Sequence, residues 1–415
     1  LPPTASPSKS SLLVIFLTVF IDLLGFGIVM PLLPLYADQY SADPTGLTIG
    51  LLMASFSIMQ FLFAPIWGSL SDRVGRRPVI LLGLLGSVIF YTLFGVATIY
   101  QSLSGLFLTR IGAGIAAATI PTAQAYIADS TSNENRARGM ALIGMAFGLG
   151  FTLGPMFAYF AVAEDGKGTP GASPGFIAAG FSAAALLLAI FRLPESLKPD
   201  SKSAARRWWD RSAWQAAFGN RAISYLLIGF FICIFSFASF ESTLSLLIKG
   251  SSSFEQAPFQ FSFRQVCLTF AAIGLLVAIF QGGVVRRLAK RIPERVLAIA
   301  GACIEVVGFA ILAYAVHLAS LNWLFAALVV IVAGYSCLQP SLYSLLSRWT
   351  DPSRQGQVLG VGQSVSALAR IFGSGLGIPL LKAQILAPYI LGSILMIALA
   401  GFVHLACRTG RDAQE

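Results

Sequence analysis

Long apolar runs separated by short polar stretches repeat along the whole chain. Each is close to the roughly 20 residues that a helix needs to cross a bilayer. Twelve such runs lie near 11–36, 46–70, 77–98, 101–126, 138–162, 172–193, 219–247, 264–286, 294–316, 321–346, 355–381 and 385–407. The pattern predicts an all-α membrane protein of twelve transmembrane helices. No connection is long enough to fold alone, so soluble domains are not expected. The polar start, Leu1–Ser10, leads straight into a full-length span and is not read as a cleavable signal peptide.

The most polar stretch, Pro194–Gly219, holds Lys198, Lys202, Arg206, Arg207 and Arg211 around Trp208, Trp209 and Trp214. It reads as a connector lying along the membrane interface. The expected organisation is a six-helix half over 1–193, a connector over 194–218 and a second six-helix half over 219–415. Two further insertions, Glu164–Pro174 and Ser251–Phe263, are expected as external loops.

Helix breakers punctuate three spans. Gly25, Gly27, Pro31 and Pro34 interrupt the outer half of the first. Gly144, Gly148, Gly150, Gly154 and Pro155 line the fifth, and Gly373, Gly375, Gly377 and Pro379 the eleventh. Small residues at four-residue spacing allow close helix approach in lipid.

Composition agrees with the pattern: 56% of residues are hydrophobic and 11% charged, against about 25% charged in soluble domains. The formal net charge of +10 is unevenly spread. Of 28 Lys and Arg, 22 fall at the termini and in the loops on their side. Only Lys167, Lys249, Arg264 and Lys382 fall in the opposite loops, and Arg110 and Arg370 lie inside helices. By the positive-inside rule both termini are expected in the cytoplasm. The basicity is a topology signal and needs no nucleic-acid partner. Five cysteines, all in apolar runs and without metal spacing, are expected as small buried hydrophobes. No metal site or cofactor is expected.

Between the second and third spans lies Gly68-Ser69-Leu70-Ser71-Asp72-Arg73-Val74-Gly75-Arg76-Arg77, read as a charged, glycine-broken loop. A worn copy, Gly282–Arg291, follows 214 residues later and carries Arg286 where the first has Asp72. A repeat at this distance indicates a helical unit that was doubled.

These residues resemble the major facilitator superfamily of secondary transporters, with Gly68–Arg77 similar to its signature between helices two and three. Gly150-Phe-Thr-Leu-Gly154-Pro155 resembles the fifth-helix motif of antiporters, although Ala158-Tyr159 stands where that pattern has a glycine pair. Arg110 with Gly114 is similar to an Arg-Gly pattern linked to proton coupling in drug exporters. Asp22 with Gly25 and Gly27, Pro31-Leu32-Leu33-Pro34, Gln60–Pro65 and Ala128–Thr131 resemble the tetracycline-efflux branch and its eukaryotic tetracycline-transporter-like members. Tetracycline pumps carry an Asp where this chain has Phe90 and a His where it has Val277. The chain therefore lacks polar groups that a tetracycline–metal chelate would use. Glu305 keeps a carboxylate where those pumps have Asp.

Ionisable groups at membrane depth are costly, about 2.5–3.5 kcal/mol on insertion scales, so each invites a role. Asp22, Glu241, Glu305 and Arg110 are the candidates for proton coupling. Asp22 lies near the midplane, where a carboxyl shielded from water is suited to binding a proton; the other reading is a structural pairing with a polar neighbour. Glu241 is either a proton or substrate group or a solvated helix end. Arg110 is either functional or a snorkelling arginine. Arg370 is an anchor for an anionic substrate, or a strut paired with Glu305 or Glu241.

Gln60, Gln124, Gln281, Gln339 and Gln363 add candidate substrate hydrogen bonds. Phe56, Phe63, Phe147, Phe235 and Tyr343 could wall a cavity, although lipid-facing Phe is commoner. Gly68, Asp72, Arg73, Gly75, Arg76 and Arg77, with Asp129, Glu134, Gly154 and Pro155, are the expected gating residues, the arginines bridging to Asp129 or Glu134.

The expectation is a monomeric secondary transporter in a bacterial-type inner membrane, exporting small amphiphilic drugs or organic anions in exchange for protons. The alternative is a facilitator or symporter for a small metabolite. A channel or receptor on the same scaffold is a third class. Nothing in the chain suggests an enzyme: no His-metal cluster, Ser-His-Asp set or nucleotide loop stands out.

Overall fold

The computed structural model describes residues 9–41, 43–131, 136–162, 170–197, 218–250, 258–350 and 355–409. Among the described residues, twelve helical segments are long and apolar enough to span a membrane. They are Leu12–Tyr40, Leu47–Val74, Arg76–Ile99, Leu103–Asp129, Leu142–Ala161, Ser173–Arg192, Arg221–Lys249, Phe263–Leu288, Glu294–Leu318, Leu321–Arg348, Val358–Ala383 and Ala387–Thr409. The connector's basic and tryptophan residues, the insertion around Glu164 and most of Ser251–Phe263 lie outside the described residues.

Several spans are broken where the sequence removes backbone donors. The first is a helix over Lys9–Val29, a turn around Pro31, then a helix over Leu33–Tyr40. The fourth breaks between Leu103–Ala117 and Ile120–Asp129. Pro121 has no N–H for the Ala117 carbonyl, and a neighbouring span supplies donors near the break. Gln60 Nε2 donates to Ala117 O at 3.4 Å and Trp67 Nε1 to Ile115 O at 2.7 Å. The eighth span carries a π-helical turn over Phe280–Val285, placed on Gly282 and Gly283 of the worn repeat.

The chain forms two compact units. One gathers the described residues of Leu1–Tyr40, Ile58–Trp208 and Phe263–Gly274. Its first span packs on the fifth and sixth, and its third on the fourth and sixth. Ile15, Val19, Ile80, Leu84, Tyr126 and Ile127 are buried together there. Glycine sets the spacing: a Cβ at Gly27 would lie 2.5 Å from the Gly150 carbonyl oxygen, and one at Gly154 2.6 Å from Gly27 Cα.

The other unit gathers the described residues of Ser41–Ser57, Trp209–Ser262 and Leu275–Glu415. Its ninth and tenth spans pack closely, and its seventh lies on the eleventh and twelfth. A Cβ at Gly301 would meet Gly334 O at 2.8 Å, and one at Gly50 would meet Gly375 O at 2.3 Å. Lys382 Nζ donates to Asp43 O at 2.7 Å. The Asp43 carboxylate accepts from Thr45 N, Thr45 Oγ1, Gly46 N and Thr48 N ahead of the second span. Burial alone would raise its pKa, but these hydrogen bonds prevail and hold it below the usual carboxylate range.

The outward faces are apolar. Leu82, Ile89, Phe160, Phe191, Ile394 and Ile397 are all exposed, as expected of surfaces solvated by lipid. Of the five cysteines, Cys233 and Cys267 are buried, Cys337 and Cys407 half-buried, and Cys303 exposed.

Candidate functional site

The charged segment is far more helical than a loop. The second span runs through Asp72 and Arg73 to Val74, and the third begins at Arg76, leaving Gly75 alone between them. Gly75 sits at φ 116°, a conformation that favours glycine. Arg76 turns inward, is only 8% exposed, and ties three elements together. Its guanidinium pairs with Asp72, donates to Ser71 Oγ at 2.6 Å, and reaches Asp129 Oδ2 at 3.1 Å. Arg77 donates to Ile190 O at 2.7 Å. Arg73 is exposed and makes no ion pair among the described residues. Glu134 lies outside them.

A partner that sequence reasoning missed completes this cluster. Glu195 accepts from Arg76 N at 2.9 Å and Arg77 N at 3.1 Å, capping the third span, whose own cap residue is the side-chain-less Gly75. A carboxylate at a helix N-terminus also meets the positive end of the macrodipole. A Cβ on Gly75 would lie 2.4 Å from Glu195 Oε2, so glycine at 75 leaves room for the cap.

The second unit has a counterpart with reversed charge. Glu294, in the first turn of the ninth span, receives Arg348 Nη1 at 3.1 Å and Ser344 Oγ at 3.1 Å from the end of the tenth. The first unit pairs a cation at the start of the third span with an anion at the end of the fourth. In the second unit these signs are exchanged. Glu294 follows Pro293, a helix-start signal that was available in the sequence.

Inside the first unit, Asp22 receives a hydrogen bond from Ser182 Oγ at 3.0 Å, with Ser87 a second hydroxyl at the carboxylate. Tyr91 lies within electrostatic reach of both Asp22 and Arg110. Gly25, one turn from Asp22, leaves space for Tyr91 and Ser182 to approach: its Cβ would meet them at 3.3 and 3.4 Å. Arg110 is buried, with its guanidinium carbon 5.9 Å from the Phe26 ring centroid. Phe90 packs on the fourth span at Gly112, where a Cβ would lie 2.1 Å from its ring. Gln124 is half-buried. Gly154 and Pro155 are buried, and Arg264 lies 5.3 Å from the Tyr159 ring centroid.

Inside the second unit, Glu241 and Arg370 act on one another electrostatically without an ion pair within 4 Å. Tyr335 senses Glu241, Glu305, Cys233 and Arg370, and stacks on Phe237 at 3.8 Å between centroids. Glu305 is fully buried, and among the described residues neither of its oxygens has a hydrogen-bond partner. Its methylene packs on Gly334, which has no side chain to offer. Gln363 Nε2 donates to Tyr343 Oη at 2.8 Å. Val277, Gln281 and Gln339 are half-buried.

Each unit thus carries ionisable groups inside an apolar bundle, with Arg110 and Glu305 buried and Asp22, Glu241 and Arg370 half-buried. The Major Facilitator Superfamily profile matches residues 15–374. The chain belongs to the Major Facilitator Superfamily. It is 34% identical over 369 residues to the class C tetracycline resistance protein of Escherichia coli, covering 88% of each chain. It is 30% identical over 439 residues to Major facilitator superfamily domain-containing protein 10 of Homo sapiens, covering 91% of this chain and 88% of that one. A crystal structure of the human organic anion transporter MFSD10 (TETRAN) superposes with a TM-score of 0.71 at 27% identity, over 96% of this chain and 99% of that one. This superfamily member is therefore an integral membrane transporter, and neither its fold nor its relatives are those of an enzyme.

Proposed function

We propose that this transporter exports small amphiphilic drugs or organic anions in exchange for protons by alternating access, with both termini cytoplasmic. The observation that carries the reading is the chemistry at the core of each unit. Asp22 is held by the Ser182 hydroxyl, and Glu305 is fully buried with both oxygens unpartnered among the described residues. An uncompensated carboxylate in such a place is costly, whereas a carboxyl that gains and loses a proton as water reaches it is not. Arg370, near Glu241 yet not paired to it, is the candidate anchor for an anionic substrate group. Relatives named for tetracycline resistance and for organic anion transport support this substrate range. The excess of basic residues at the termini and in the loops on their side supports the topology.

In proteoliposomes, substrate efflux should move protons the opposite way. Asp22→Asn should abolish uphill efflux while leaving substrate exchange intact. Transport that ignores pH altogether would sink the proposal. The second reading, a facilitator or symporter, draws on Tyr159, which fills the place of an antiport-motif glycine beneath Arg264. Protons moving with the substrate, or none moving, would favour it.

A further inference from the structure

A cleft of about 330 Å³ opens where the start of the ninth span meets the end of the twelfth, lined by Arg295, Val296, Ile299, His404, Cys407 and Arg408. It lies away from the ionisable groups of the bundle interior and plays no part in the transport chemistry above. The ninth and twelfth spans pack along their length, so the cleft is a gap between their two ends.

Three observations define what fits. The first is charge. Arg295, His404 and Arg408 are exposed, and among the described residues neither arginine pairs with a carboxylate. The adjacent carboxylate, Glu294, is occupied by Arg348 and Ser344. The second is the floor: Val296 and Ile299 are apolar, and Val296 is 46% exposed. The third is depth. The ninth span has 25 residues, about 37 Å at 1.5 Å each, against a hydrocarbon core of about 30 Å. Its first turn therefore stands at headgroup level, and so does the last turn of the twelfth span against which it lies.

We propose that this cleft binds an anionic phospholipid of the adjoining leaflet. The phosphate lies among Arg295, His404 and Arg408, and the first acyl carbons lie on Val296 and Ile299. Guanidinium groups suit a phosphate because their N–H donors match its oxygens, and basic clefts between spanning helices are suited to anionic headgroups. A free anion would use the rim and leave the apolar floor bare, so the combination selects a lipid.

The test uses purified, delipidated full-length protein. Binding is read by native mass spectrometry and by thermal unfolding, with phosphatidylglycerol, phosphatidylcholine or inorganic phosphate added. Phosphatidylglycerol should be retained and should raise the unfolding temperature, with the other two weak. Arg295→Gln with Arg408→Gln should lower apparent affinity for phosphatidylglycerol roughly 25-fold, at about fivefold per arginine. Arg192→Gln with Arg221→Gln, exposed at other helix ends, should change it by less than about twofold. Arg295→Lys with Arg408→Lys should keep most of the binding, and covers the case in which the glutamine pair fails to fold. Unchanged affinity in the glutamine pair, equal binding of phosphatidylcholine, or equal stabilisation by inorganic phosphate would each overturn the proposal.

Discussion

Gly154→Ala should be markedly destabilising although it adds one methyl group to a helix. The new Cβ would lie 2.6 Å from Gly27 Cα, 2.7 Å from Gly27 C and 3.0 Å from Ile28 N, all backbone atoms that no rotamer change can move. Carbon atoms in ordinary contact are about 3.5–4.0 Å apart, so the first and fifth spans must part by about 1 Å there. Overpacking of this kind costs about 1–3 kcal/mol. At about 2–4 °C per kcal/mol for a unit of this size, unfolding should fall by roughly 2–12 °C. Gly148 lies on the same helix, and a Cβ there would meet nothing within 4 Å. Gly148→Ala should leave the temperature unchanged or raise it slightly, since alanine favours helix by about 0.5–1 kcal/mol. The assay is thermal unfolding of both variants in one detergent, with transport measured in liposomes. If Gly154→Ala unfolds at or above the temperature of Gly148→Ala, the close approach of these spans is refuted.

Glu195→Ala should lower stability by about 1–2 kcal/mol, because it removes the cap on Arg76 N and Arg77 N. Glu195→Gln, which keeps an acceptor but not the charge, should lose about half as much; equal unfolding temperatures for all three proteins would dismiss the cap. Gln60→Leu should destabilise by about 1–3 kcal/mol, because it strips the donor from the Ala117 carbonyl freed by Pro121. A normal unfolding temperature with weakened substrate binding would instead make Gln60 a substrate residue. Asp43 has a folded pKa below its unfolded value of about 3.9, so its contribution is present above that value and is lost as pH falls through the folded pKa. Asp43→Asn should therefore unfold earlier than the parent at pH 7, with the gap closing below about pH 4. A gap that persists in strong acid would show that the carboxylate's charge is not the cause.

Run length and loop charge were legible directly. A helix must satisfy its own backbone in lipid, so twenty apolar residues in a row have few other fates. The twelve expected spans are the spans observed, with ends displaced by a few residues. The first and second spans extend furthest into polar sequence, as at Asp72 and Arg73, because a charged helix end can still complete its backbone bonds in the headgroup region. Pro31 marked a real break, whereas the break at Pro121 in the fourth span was not anticipated. Asp22, Arg110, Glu241 and Glu305 stood out because charge inside an apolar run needs no structure to notice it.

Partners were not legible. Asp22 meets Ser182 across 160 residues, and Arg76 meets Glu195 across 119. Lipid and protein interior are equally apolar, so the hydrophobic pattern does not mark which face of a spanning helix is buried. Helix rotation is set instead by where backbones can approach, at Gly27 against Gly150 and Gly154 and at Gly301 against Gly334. That rotation leaves Glu305 without a hydrogen-bond partner among the described residues while giving Asp22 the Ser182 hydroxyl, and it turns Arg76 inward beside an exposed Arg73. Local composition thus decided how many times the chain crosses the membrane and where its charges lie along it. Packing of glycine against backbone, which exists only in three dimensions, decided what each charge faces.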